Sequence, residues 1–261
     1  MKLDSTIAAL VTGGASGLGE ATARHLASFG VRVTLLDLNA ERGNRVAGEI
    51  GGFFHICDVT SDESVDAALA AARGRHGVER ILVNCAGIVA GQRTVSKDRE
   101  TGALKAHDLG AFTKVIGINL IGSYRMIAKC SVAMAGLEPV TPDGGRGVIV
   151  NTSSVAAEDG QIGQAAYSAS KGGVLALTLP VARDLSGHGI RVVSILPGIF
   201  HTPMFDQISE EYRKTLAAAV PFPQRLGNPA EYAALVESIC RNDMLNGTGI
   251  RLDGAIRMAP K

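Results

Sequence analysis

Tryptophan is absent from the 261 residues, and aromatic side chains make up only 4% of them. A core so poor in rings has to be built from aliphatic side chains, and the hydrophobic fraction of 46% supplies them. Cysteine is equally sparse. Cys57, Cys85, Cys130 and Cys240 form no C-x-x-C pair and no His/Cys cluster at zinc spacing, so neither a disulfide framework nor a metal site is expected. Each lies in an apolar or strand-like stretch and reads as a small core residue, which suits a reducing compartment. Charge of one sign is missing too, with 26 Lys and Arg against 25 Asp and Glu and no long run of either. That balance gives no support to a nucleic-acid or membrane partner and points to a small molecule. No segment approaches the roughly 20 apolar residues of a membrane span. The opening MKLDSTIAALVTGG lacks both a signal-like apolar region and an A-x-A cleavage pattern, so a soluble, unprocessed, cytoplasmic protein is expected.

What the chain does have is a rhythm. Short β-branched or aliphatic runs at 7–12, 32–36, 52–57, 80–84, 147–151, 191–196 and 249–252 alternate with Ala-rich amphipathic stretches at 19–29, 62–76, 112–134, 165–186 and 230–241. Most of the short runs are continuously apolar, the pattern of strands buried on both faces of a parallel sheet. The expected fold is therefore α/β: one doubly wound Rossmann domain over 1–261 with a mainly parallel sheet of about seven strands. Residues 91–110 and 138–146 read as solvated loops, and 197–229 as a long proline-containing segment at a strand end. Pro180 predicts a kink or an interrupted hydrogen bond in its helix.

The first strand-to-helix turn reads Thr12-Gly13-Gly14-Ala15-Ser16-Gly17-Leu18-Gly19. Glycines there let backbone approach a pyrophosphate, and the free N–H groups of a helix start favour its charge. The spacing G-x-x-x-G-x-G differs from the general dinucleotide fingerprint, and a chain with 32 glycines makes such clusters common. Context strengthens the reading. The second strand runs into Asp37, about 20 residues past the glycines, where a carboxylate bonds a ribose 2′-OH and repels a 2′-phosphate. NAD is the expected cofactor, with Arg42 the one basic residue nearby that argues for a phosphate. Asp58-Val59 and Asn84-Cys85-Ala86-Gly87 fall at the ends of the third and fourth strands, where open α/β sheets bind ligands. Asp58 suits the adenine amino group, and Ala86-Gly87 leaves room for a ring or ribose.

Tyr167 and Lys171 stand four residues apart at the start of an Ala-rich helix, on one face. A phenol with a pKa of about 10 is a poor base near neutrality, and a neighbouring ammonium favours its ionised form. Lysine also reaches a ribose hydroxyl. Upstream, Asn151-Thr152-Ser153-Ser154 ends a strand, and a hydroxyl at Ser154, or at its neighbour Ser153, is placed to donate to a substrate oxygen as charge builds there.

Taken in order, TGGASGLG, NCAG, Asn119 within GINLIG, NTSS, YSASK and the Pro197-Gly198 pair resemble the short-chain dehydrogenase/reductase family over essentially the whole chain. One departure is Cys85, where many members carry a second Asn. The resemblance implies that Tyr167 is the general acid/base, Ser154 orients the carbonyl, and Lys171 holds the nicotinamide ribose and lowers the tyrosine pKa. It implies that Asn119 holds a water continuing the proton path. Gly13, Ser16, Gly17, Leu18, Gly19, Asp37, Asp58, Val59, Asn84, Ala86 and Gly87 would contact the cofactor, together with Tyr167, Lys171, Pro197, Gly198, Ile199 and Thr202.

The stretches SVAAEDGQIGQAAYSASKGG, VPFPQRLGNPAEYA and NGTGIRLDGAIRM narrow the resemblance to the type 2 3-hydroxyacyl-CoA dehydrogenases, also called type 10 17β-hydroxysteroid dehydrogenases. By that resemblance the substrate is a 3-hydroxyacyl-CoA oxidised with NAD, Gln161 lies beside the thioester, and the protein is a homotetramer assembled through its long helices. Read from the residues alone, the pocket is compatible with this but less specific. Val155, Ile162, Phe200, Met204, Phe205 and Leu216 could wall an acyl group under a lid at 201–221, or pack in a core or interface. Lys97, Arg99 and Lys105 suit CoA phosphates or a solvated loop. A steroid or another secondary alcohol is the alternative substrate, and an NAD-binding scaffold without turnover is the alternative outside enzymes.

Overall fold

The computed structural model describes residues 1–98, 100–203 and 209–260, leaving the Tyr212 side chain aside. It opens on β1 (Ala8–Thr12), α1 (Gly17–Ser28), β2 (Arg32–Asp37), α2 (Ala40–Ile50), β3 (Phe53–Ile56), α3 (Asp62–His76) and β4 (Ile81–Asn84). A short hairpin, β5 (Val95–Lys97) and β6 (Leu104–Ala106), precedes α4 (Leu109–Ile116), a π-helical turn at Gly117–Gly122 and α5 (Ser123–Ala135). The second half carries β7 (Gly147–Thr152), α6 (Ala165–Asp184), β8 (Ile190–Pro197), α7 (Glu210–Ala218), α8 (Pro229–Arg241) and β9 (Gly249–Leu252). Seven strands pair in the order β3-β2-β1-β4-β7-β8-β9, every pair parallel. The order reverses between β1 and β4, which opens a crevice at the carboxyl ends of the strands.

Because successive side chains on a strand face opposite ways, the apolar runs feed two cores. On β1, β4, β7 and β8 the residues Val11, Val83, Val150 and Ile195 pack with Leu26, Val46, Tyr232 and Val236 of α1, α2 and α8. Their neighbours Leu10, Leu82, Ile149 and Val192 pack with Leu69, Met126, Ile127 and Val181 of α3, α5 and α6. Continuous hydrophobicity is what both-sided burial requires. Among the described residues, no helix is long and apolar enough to cross a membrane.

Three features depart from the sequence expectation. Helix α2 is not among the stretches that periodicity marks, because Gly43 and Gly48 and the charges in AERGNRVAGEI mask its period. Its ends are nevertheless well defined: Asn39 Oδ1 accepts from the Arg42 N–H at 3.0 Å, and Gly51 stops it in the left-handed region at φ 64°. Gly43 is required where it is, since a side chain there would strike the Phe54 ring. Within 91–110, Val95–Lys97 and Leu104–Ala106 pair as a β-hairpin where a loop was expected, and α4 has begun by Leu109. The long helix expected over 112–134 starts earlier and carries the π-turn in its middle. Pro180 lies inside α6, where, having no N–H, it leaves one helical hydrogen bond unmade, as expected.

Candidate active site

The crevice is a cleft of about 930 Å³ lined from β1, β2, β4, β7 and β8 and the segments that follow them. Its lining includes Gly13, Ser16, Gly17, Leu18 and Gly19 from the first turn, then Asp37, Asp58, Val59, Ala86 and Gly87. Ser154, Tyr167, Lys171, Pro197, Gly198 and Thr202 line it as well. Residues spread over nearly 190 positions of sequence thus face one cavity.

The glycine turn is built for close approach. Gly13 takes φ 64°, and a Cβ on it would sit 2.8 Å from the Ala86 nitrogen; a side chain on Gly19 would run into the Gly13 carbonyl. Ser16 occupies the N-cap of α1 without bonding a first-turn N–H through its side chain, so the helix start keeps donors for an anion. Thr12 Oγ1 accepts from the N–H groups of Cys85 (3.2 Å) and Ala86 (3.1 Å), clamping the β4 loop beside the turn. Asp37 accepts from the N–H groups of Ala15 at 3.1 Å and Asn39 at 3.0 Å, which holds its carboxylate at the cleft edge. Asp58 accepts from the Thr60 hydroxyl at 2.7 Å and the Thr60 N–H at 2.8 Å, and these bonds hold its carboxyl below the ordinary range. Arg42 is turned toward Glu20, 3.6 Å away. A long cleft with a glycine-lined anion cradle and carboxylates at one end fits a nicotinamide dinucleotide.

At the other end, Lys171 donates to the Thr152 carbonyl at 2.7 Å, and its Nζ lies 5.8 Å from the centre of the Tyr167 ring. Burial pulls the Lys171 ammonium down to about 8 and pushes the Tyr167 phenol up, with Ser154's hydroxyl bond working against the latter. Ser154 heads a 3-10 turn (Val155–Ala157) and accepts from the Ala156 N–H at 3.1 Å, leaving its own O–H to donate. Ser153 is ruled out as the equivalent donor, because its hydroxyl donates to the Lys171 carbonyl at 2.8 Å.

Four expected site residues lie outside the cleft lining. Asn84 is buried behind it, donating to Asn151 Oδ1 at 3.0 Å. Asn119, in the π-turn, is fully engaged: Oδ1 accepts from the Ile88 N–H at 2.8 Å, while Nδ2 donates to the Ile88 carbonyl at 2.9 Å and to Ser170 Oγ at 3.0 Å. Its backbone carbonyl accepts from Ser123 at 2.7 Å. Ile199 faces a second cavity of about 110 Å³. Gln161 donates to the Ala259 carbonyl at 2.9 Å, against the C-terminal segment. Of the apolar wall, Phe200 lines the cleft, Val155 is buried and Ile162 is exposed, while Met204 and Phe205 lie outside the described residues, as does Arg99. Lys97 and Lys105 sit on the hairpin, Lys105 paired with Asp98 at 3.4 Å. Sequence reasoning missed Lys114, Ile88 and Val89, which also line the cleft. Nothing in the local pattern aims them there.

The short chain dehydrogenase family model matches residues 7–213, and the chain belongs to that family. It is an oxidoreductase built on a parallel Rossmann sheet. Among its relatives, the 3-hydroxyacyl-CoA dehydrogenase type-2 of Drosophila melanogaster is 51% identical over 253 residues, covering 96% of this chain and 97% of the relative. The Homo sapiens protein of the same name is 48% identical over 256 residues, covering 97% and 96%. The crystal structure of 3-hydroxyacyl-CoA dehydrogenase type-2 from Mycobacterium avium superposes with a TM-score of 0.92 at 42% identity, covering 100% of both chains.

Proposed function

We propose that this chain is an NAD-dependent dehydrogenase that interconverts a 3-hydroxyacyl-CoA and its 3-ketoacyl-CoA, acting as one domain over its full length. The observation that carries the reading is the convergence of Ser154, Tyr167 and Lys171 on the cleft that also holds the glycine turn and Asp37. The substrate class rests on the printed names of relatives near half identity over nearly the whole chain. NAD is preferred over NADP because the Asp37 carboxylate would repel a 2′-phosphate and Arg42 faces Glu20 across 3.6 Å.

When bound, the nicotinamide dinucleotide supplies the hydride acceptor and donor. Tyr167 accepts the hydroxyl proton during oxidation and returns it during reduction. Ser154 donates to the same oxygen, stabilising charge that develops there. Lys171 offers a positive charge to the phenolate and a donor to a ribose hydroxyl. Asn119 ties the Ile88 segment to Ser170 on α6, so that Gly87, whose Cβ would lie 3.5 Å from Lys171 Nζ, keeps the approach open. The resemblance puts Gln161 toward the thioester, and in this fold its side chain donates to the Ala259 carbonyl. A homotetramer is supported by the exposed apolar side chains Ile121, Tyr124, Val132 and Leu179 on α5, α6 and the π-turn. A cytoplasmic site accords with four free cysteines.

The test is NADH oxidation with acetoacetyl-CoA, a steroid ketone and a simple ketone side by side, repeated with NADPH. The expected result is a preference for the CoA ester and for NADH; no acceleration with the ester overturns the substrate. Tyr167→Phe is expected to lose activity by roughly 10²-fold or more, the scale of general acid–base catalysis, while still binding NADH. Full activity in that variant overturns the proton assignment.

A further inference from the structure

Beneath Lys171 lies a group of side chains with no part in the reaction as described so far. Tyr232 of α8 is entirely buried in the core on the α1 side of the sheet. A buried phenol is costly unless its O–H is bonded. Here its oxygen lies 2.7 Å from Thr152 Oγ1 and 3.7 Å from Cys85 Sγ, and Thr152 Oγ1 lies 3.4 Å from that sulfur. The three groups close a ring in which the phenol donates to the Thr152 hydroxyl, that hydroxyl donates to Cys85 Sγ, and the thiol donates back to the phenol. Burial pushes the Cys85 thiol up, so it stays protonated and able to donate.

The ring has a direction. Thr152 ends β7, and by strand alternation its side chain shares the face of Val148 and Val150, toward α8. Its carbonyl is the acceptor for Lys171, which reaches it from α6. Thr152 therefore joins the two helical layers through the sheet: the hydroxyl is fixed by Tyr232 on one side, and the carbonyl fixes the ammonium on the other. Both Thr152 and Cys85 line the cleft.

We infer that Tyr232 is a positioning residue for the reaction: through the Thr152 hydroxyl it fixes the strand end whose carbonyl holds Lys171 beside Tyr167. This rests on the reading of Tyr167 and Lys171 as the proton-handling pair. With the phenol's O–H removed, Thr152 loses its fixed rotamer, the carbonyl loosens, and the ammonium spends less time near the phenol. The phenolate is then less stabilised, so the phenol titrates at higher pH. Lys171 is sensitive to such a change, since burial holds its pKa near 8 and the Thr152 carbonyl is the acceptor that its ammonium bonds.

The experiment compares the parent, Tyr232→Phe, Thr152→Val, the double variant and Tyr167→Phe. The pH profile of kcat/KM for alcohol oxidation, NADH binding by fluorescence titration and Tm are measured for each. Both single variants are expected to move the acid limb to higher pH by about half a unit or more, as loss of a nearby stabilising charge does. They are also expected to weaken NADH binding roughly threefold, the scale of one hydrogen bond. The double variant should move the limb no further than the larger single change, because the two substitutions break one link. A lowered Tm with limb and NADH affinity at parent values overturns the inference and leaves Tyr232 a core filler. Should Tyr232→Phe fail to fold, the near-isosteric Thr152→Val carries the same test. A parent with an acid limb and an inactive Tyr167→Phe, beside an unmoved Tyr232→Phe, sinks the positioning role alone. An active Tyr167→Phe sinks the proton pair and this inference with it.

Discussion

Lys171 is only 5% exposed, and its bond to the Thr152 carbonyl does not restore what it loses by leaving water. Its folded pKa of about 8 lies below the ordinary 10.5. Between those values the unfolded chain binds a proton that the folded chain has released, so stability rises with pH across that window. Below about 8 the charge is present in both states, and the full burial penalty weighs on the folded one. Lys171→Met is therefore expected to be more stable than the parent at pH 7. The penalty is up to ~3 kcal/mol by the size of the shift, and the lost bond to Thr152 offsets about 1 kcal/mol of it. The advantage should shrink as pH rises toward 10.5, while activity is lost. Thermal denaturation at pH 7 and pH 10 checks this; a difference independent of pH would contradict it. The four-residue spacing of Tyr167 and Lys171 is legible in sequence. The acceptor of Lys171 and its phenol partner 80 residues away are not, because only the sheet brings β7 and α8 together.

The turn between β1 and α1 is the most legible element, since its glycines do a steric job that no other residue can. Gly19 is the sharpest case: a methyl there meets the Gly13 carbonyl, which is backbone and cannot swing aside. Gly19→Ala is expected to lower stability by about 1–3 kcal/mol, as overpacking does. It is also expected to weaken NADH binding at least tenfold, because the anion cradle must deform. Differential scanning calorimetry and fluorescence titration read the two effects; parent values in both would overturn the steric argument. Elements without such local necessity were harder to read. Helix α2 hides behind two glycines and five polar residues, although its Asn39 cap was there to be found. The β5–β6 hairpin is short, polar and on the surface, so alternation of buried and exposed side chains leaves no trace in it.

Across the whole molecule, the C-terminal segment is fastened to the loop that leads into α6. Arg251 of β9 pairs with Glu158, with Asp159 at 2.8 Å and with Asp253 at 2.7 Å, and donates to the Ile256 carbonyl at 2.9 Å. Beyond it, Ile162 donates to the Pro260 carbonyl at 3.0 Å and Gln161 to Ala259. Removing the arginine leaves Glu158, Asp159 and Asp253 with the exposed Arg257, 3.5 Å from Asp159 and 3.9 Å from Asp253, as a weaker counter-charge. Arg251→Ala is expected to cost about 2–4 kcal/mol, since breaking a partly buried network strands its remaining charges. Hydrogen exchange should accelerate at residues 155–164 ahead of the rest of the chain. Uniform exchange with an unchanged Tm would show that the tail and the loop are held independently.

By itself the sequence determined the alternating α/β order, the both-sided burial of the strands, the glycine turn and the residue types of the reactive pair. Each of these is a local or periodic property, set by neighbours a few residues apart. Only the tertiary structure decided the strand order, which places the chain reversal between β1 and β4 and so locates the cleft. It also separated Ser154 from Ser153 by giving the latter's proton to the Lys171 carbonyl, and it drew Asn84, Asn119 and Gln161 into supporting contacts away from the cleft lining. The same holds for Thr152, whose two faces meet residues 19 and 80 positions away. Such contacts depend on which strands lie side by side, and that is fixed by packing of the whole sheet between its two helical layers rather than by any stretch of chain.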